Sequence, residues 1–132
     1  MAAAKTYLVP VDFSKGSAIA LKHAIELARK TKGKLLLVHV VPLVVHLATV
    51  ASFLRGELEM MARRLGLTPA QYRLLVLERP EAGRAIADVA KKSRAAMIIM
   101  GSHGRTGFQR FVLGSVAERT LRYAQCPVLI IK

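Results

Sequence analysis

The sequence predicts a single α/β domain built on a doubly wound parallel sheet, and three observations carry that prediction. Short apolar runs alternate with segments whose apolar residues recur at helical spacing. The apolar runs are nearly continuous, as strands buried on both faces require, and do not alternate with polar residues. A length of 132 residues suffices for one compact domain over 1–132 and is too short for two ordinary ones.

Residues 7–11 (YLVPV) are the first strand, followed by Asp12 and Ser14 as turn and cap residues before a helix. In that helix Ala18, Leu21, Ile25 and Ala28 share one face, Lys22, Glu26, Arg29 and Lys30 lie on others, and Gly33 stops it. Residues 35–41 (LLLVHVV) read as a second strand, ended by Pro42. Leu54, Leu58, Met61, Ala62 and Leu65 then form the stripe of a second helix, closed by Gly66 and Pro69. The 43–53 region before it is either a partner-facing segment or the first turns of that helix. Residues 72–77 (YRLLVL) are a third strand, and Pro80 opens a helix with Ala82, Ala85, Ile86, Val89 and Ala90 inward. Residues 97–100 (MIIM) make a fourth strand ending at Gly101. Leu113, Val116, Ala117, Thr120, Leu121 and Ala124 pattern a last helix, and 127–131 (PVLII) a fifth strand. Right-handed crossovers leave few ways to connect such a series.

With 53% hydrophobic and 22% charged residues the chain is neither intrinsically disordered nor a coiled coil, collagen or disulfide knot. Its 21 Lys and Arg against 8 Asp and Glu give a net charge of +13, which calls for an anionic partner. Nucleic acid is not the expected one, because aromatic content is 5%, Trp is absent, and neither a basic run nor a stacking platform appears. Residues 35–54 are 20 uncharged residues, the nominal length of a membrane span. Pro42 interrupts them, His39 and His46 stand on either side, and the first part reads as a strand, so no span is expected. The single cysteine, Cys126, cannot form an internal disulfide, and no signal-peptide pattern opens the chain. A cytoplasmic protein is expected.

In open sheets of this class ligands bind beyond the carboxyl ends of the strands. After the fourth strand stands GSHGRTGFQRFVLGS, with Gly101, Gly104, Gly107 and Gly114. Glycines bring bare peptide N–H groups close to a ligand, Gly114 and Ser115 open a helix whose positive end attracts an anion, and Arg105 and Arg110 add phosphate-matching donors. Neither G-x-x-x-x-G-K-[ST] nor G-x-G-x-x-G is present. The spacing is G-x2-G-x9-G-S: Gly101, Gly104, Gly114 and Ser115.

That spacing, with YLVPVDFS at the start, LLLVHVV in the second strand and MIIMGSHGRTGFQRFVLGSVAERTLRYAQCPVLIIK to the end, closely resembles the universal stress protein family in its ATP-binding branch. The resemblance implies an adenine nucleotide alpha hydrolase-like fold with strand order 3-2-1-4-5, a homodimer, and ATP with Mg²⁺ bridging phosphate oxygens. By position, Pro10 and Asp12 would approach the adenosine, Asp12 reaching the ribose, and Val40 would meet adenine through its backbone. Gly101 would pass under the ribose and α-phosphate. Gly104, Arg105, Gly114 and Ser115 would hold the phosphate chain, with Ser102 and His103 in the same loop. The last strand, Pro127, Val128, Leu129, Ile130 and Ile131, would be the dimer seam. Arg79 and Ala96 depart from the pattern of many relatives, which have glycine and Asp there; solvent is the expected place for Arg79.

His39 is expected to be a hydrogen-bonded core histidine, since a lone imidazole is no metal site. His103 is the one histidine beside the presumed phosphates, yet the sequence shows a cradle without the oriented nucleophile that fast phosphoryl transfer needs. No catalytic or metal-ligating residue is therefore assigned. The expected function is a nucleotide-dependent stress-response module acting through a regulatory partner of unknown identity, at most a slow ATPase. The alternative is a nucleotide-using enzyme on the same fold, transferring a phosphoryl or adenylyl group.

Overall fold

A computed structural model describes residues 3–43, 46–103 and 112–132. The strands are β1 (Thr6–Pro10), β2 (Lys34–Val41), β3 (Tyr72–Glu78), β4 (Met97–Gly101) and β5 (Val128–Ile131), and the helices α1 (Lys15–Thr31), α2 (Leu47–Arg64), α3 (Ala82–Ser93) and α4 (Ser115–Tyr123). The strands form one parallel sheet in the order β3-β2-β1-β4-β5, the expected topology. Because side chains alternate across a strand, β1 sends Tyr7 and Val9 to one face and Leu8 to the other, and both are dry. On the first face Leu21, Ala24 and Ile25 of α1 and Leu58 and Ala62 of α2 cover the sheet. On the second, Ala85, Ile86 and Ala90 of α3 and Ala117 of α4 do so.

Local chemistry sets the element ends. The Ser14 hydroxyl accepts from the Ser17 amide at 3.2 Å and so caps α1, while the Asp12 carboxylate accepts from the Ser14 amide at 2.9 Å and shapes the turn before it. The 43–53 region resolves in part: residues from Leu47 onward are the first turns of α2, and Phe53 there is exposed. The last helix departs from its expected pattern. It begins at Ser115, after Leu113, ends at Tyr123, and leaves Val116 and Leu121 exposed, because nine residues present only Ala117 and Thr120 as a buried stripe. Among the described residues no helix is long and apolar enough to cross a membrane.

Candidate functional site

A cavity of about 510 Å³ opens at the carboxyl ends of the strands, between β1, β2, β4 and the starts of α3 and α4. Its origin lies in the sheet. β1 pairs with β2 as far as Pro10↔Val38, but with β4 only at Tyr7↔Met97 and Leu8↔Ile98. Beyond Leu8 the two central strands part, and Pro10, with no N–H, cannot continue a ladder. This is the point where strand order reverses and crossovers depart to opposite faces, the usual place for a ligand.

The residues expected at a ligand converge here. Pro10 and Asp12 enter from the end of β1, Val40 from β2, and Gly101, Ser102 and His103 from β4, while Gly114 and Ser115 close the cavity from the start of α4. Gly104 and Arg105 lie outside the described residues. Arg79 does not line the cavity; it is exposed, with its guanidinium donating to the Glu78 carbonyl at 2.7 Å.

Each wall has a local cause. Val38 accepts through its carbonyl from the Val11 amide, and Val41 accepts from the Arg79 amide on the opposite side. Backbone groups alternate along a strand, so the peptide groups of Val40 face the β1 side one step past Val11, where β1 has already turned away. At β4 the missing side chain of Gly101 serves packing as well as access. A Cβ there would lie 3.0 Å from the Gly16 carbonyl carbon and oxygen, and one on Gly16 would lie 2.9 Å from the His103 carbonyl oxygen. The two glycines let the first turn of α1 lie directly on the end of β4.

The third wall is electrostatic. Gly114 is the N-cap of α4, with φ −60° and ψ 152°, a conformation open to any residue. Its amide is taken by the Ser102 carbonyl at 2.7 Å, which ties the helix start to β4, and the first intrahelical bond runs from the Glu118 amide to the Gly114 carbonyl. The preceding amides, of Ser115, Val116 and Ala117, have no side-chain cap among the described residues, and all three residues line the cavity. Uncapped N–H groups and the positive dipole end favour an anion there.

His39 is the core histidine expected, and it also borders the cavity, a role the sequence reading did not assign. Its Nδ1 donates to the Val11 carbonyl at 2.6 Å, and its ring meets that of Phe13 at 4.9 Å. Ser17, buried at the start of α1, accepts from the Asp12 amide at 3.3 Å and was likewise missed; its place in the capping turn after the first strand was the available signal. Ala82 and Ile86 of α3 and Met100 of β4 complete an apolar floor. Among the described residues no group of three His, Cys, Asp or Glu is placed to hold a metal ion.

The profile of the universal stress protein family matches residues 4–132. A universal stress protein of Methanocaldococcus jannaschii is 31% identical, over 97% of this chain and 82% of its own length. Among solved structures, the universal stress protein UspA from Lactobacillus plantarum superposes with a TM-score of 0.82 at 22% identity, over the whole of both chains. The universal stress protein from Archaeoglobus fulgidus in complex with dAMP superposes with a TM-score of 0.74 at 25% identity, also over the whole of both chains. The chain belongs to the universal stress protein family.

Proposed function

We propose that the protein binds ATP in the cavity at the carboxyl ends of β1, β2 and β4 and acts as a nucleotide-dependent regulatory module in the stress response. The observation that carries this reading is the junction of two unlike walls: an apolar floor beside the Val40 peptide groups, suited to a purine, and the uncapped start of α4, suited to phosphate. A relative solved with dAMP supports an adenine nucleotide as the ligand class.

In this reading adenine lies against Val40, Asp12 accepts from the ribose hydroxyls, and Pro10 and Gly101 border the sugar. Ser102, His103, Gly114 and Ser115, with Gly104 and Arg105 of the intervening loop, surround the phosphates. The donor set fits a nucleotide that brings its own Mg²⁺: the ion would neutralise phosphate charge, and Asp12 is the one carboxylate among the described lining residues. What the protein supplies is binding and orientation, so hydrolysis is slow at most, and the bound nucleotide is read by a partner protein. The molecule functions in the cytoplasm as a homodimer through the exposed edge of β5.

The test is thermal unfolding with and without Mg-ATP. At ~100 times the dissociation constant the nucleotide adds about 2.7 kcal/mol and raises the melting temperature by several degrees. Gly114→Val keeps the fold, because its backbone conformation suits valine, and loses at least tenfold in ATP affinity by obstructing the α4 amides. Unchanged melting of the wild type, or full affinity in the variant, refutes the assignment.

A further inference from the structure

We propose that the end of the molecule opposite the cavity binds duplex nucleic acid through its phosphates, independently of sequence. In a doubly wound sheet every helix C-terminus and every strand start lies at one end, and here that end is basic. α1 finishes on Arg29 and Lys30 with Lys32 as its C-cap. α2 finishes on Arg63 and Arg64, and α3 on Lys91 and Lys92 with Arg94 as its C-cap. Lys5 precedes β1, Lys34 opens β2, and Arg73 is the second residue of β3. All are exposed, and together they are about half of the chain's 21 Lys and Arg.

The contacts across this end join them into one band. The Lys34 amide donates to the Lys5 carbonyl at 2.8 Å, and the Ala96 amide, two residues past Arg94, to the Thr6 carbonyl at 2.7 Å. The Arg29 guanidinium lies 3.4 Å from where a side chain on Gly66 would begin, two residues past Arg64. No acidic residue stands in those last turns or among the first residues of the strands. Among the described residues only Arg63 of these cations has an ion-pair partner, Glu59 at 3.1 Å.

Complementing helix dipoles explains cations at helix ends but not Lys5, Lys34 and Arg73, which begin strands. Three layers at about 10 Å spacing make the band roughly 20 Å wide, a length of duplex that carries ~12 phosphate charges. An acidic bilayer is the weaker fit. Among the described residues none of the exposed large apolar side chains stands in the last turns of α1, α2 and α3 or at the starts of β1, β2 and β3, where these cations lie, so nothing among them would enter the lipid interface; Leu121 and Tyr123 of α4 and Leu129 of β5 stand at the other edge of the sheet. The cations are scattered along the sequence, and only the fold gathers them, which is why no basic run was visible.

The experiment is fluorescence anisotropy of a labelled random-sequence duplex of about two helical turns, titrated with the full chain between about 50 and 200 mM salt. The wild type binds, and log K falls with log[salt] with a slope of about −3 to −6. Lys30→Gln/Lys91→Gln/Lys92→Gln lowers affinity about tenfold at mid-range salt and flattens the slope by about 2 to 3. Lys22→Gln/Arg79→Gln/Lys132→Gln, with the same net charge but an untouched basic end, binds within twofold of wild type. Circular dichroism confirms that both variants fold, and ATP affinity is unchanged in both, which separates this surface from the cavity. Equal losses in the two variants, no retention at the lowest salt, or binding to phosphatidylserine vesicles without binding to the duplex overturns the proposal.

Discussion

Gly101 and Gly16 show how a residue type that reads as ligand chemistry answers to packing at the same time. Each lacks a side chain where the other element's backbone passes, so the close approach of α1 to β4 rests on both. His39 is the converse case, a residue that reads as core and also borders the cavity. Its bond to the Val11 carbonyl satisfies a group that would be costly to bury unpaired, and it fixes the loop carrying Asp12. Cys126 is half-buried, and burial pushes its thiol above the ordinary cysteine value, with smaller opposing pulls from backbone hydrogen bonds. The raised value means that the fold disfavours the thiolate. Its contribution to stability is present below the ordinary thiol pKa and is lost as pH rises through the folded value. Alkylation by iodoacetamide at pH 7 is therefore expected to run several-fold slower in the native protein than in the denatured one, with its midpoint at higher pH. A native rate equal to the denatured rate contradicts this.

Between elements, the close contact of α3 and α4 depends on Gly83. A Cβ there would meet the Arg119 Cβ at 2.6 Å and the Thr120 amide at 3.0 Å, so the helices must separate to admit one. Gly83→Ala raises helix propensity but is expected to cost about 1–3 kcal/mol by overpacking, read as a lower urea midpoint. Because α4 carries the uncapped amides, the same change is expected to weaken ATP binding, and a variant as stable as wild type would show that α4 docks elsewhere. The alternation of strands and helices was legible because apolar periodicity is a local property. The exposure of Val116 and Leu121 was not, since which face of a short helix is buried depends on its neighbours.

For the whole molecule, the sheet ends in two unequal edges. β5 has four apolar residues and, among the described residues, no strand beyond it, with Leu129 40% exposed, the kind of edge that pairs with another chain. Leu129→Lys is expected to convert the proposed dimer to monomer in sedimentation equilibrium while leaving ATP affinity within about twofold, since β5 does not line the cavity. A wild type that sediments as a monomer at all concentrations removes the dimer. The long axis of the strands separates the two proposed functions, with the cavity at the carboxyl ends and the basic surface at the amino ends. Gly114→Val tests the first and Lys30→Gln/Lys91→Gln/Lys92→Gln the second, one at a time.

The sequence by itself determined the strand and helix order, the parallel sheet and the loop to inspect. Buried strands, amphipathic stripes and glycine spacing are written in neighbouring residues, and the family resemblance supplied the strand order. Tertiary structure decided what depends on distant segments meeting. It parted β1 from β4 to open the cavity, brought Gly16 onto Gly101, placed His39 and Ser17 at the site, and gathered isolated lysines and arginines at one end. The physical reason is that hydrophobic periodicity acts over a few residues, whereas a cavity wall or a charge field is a sum over segments that only the packed sheet brings within reach.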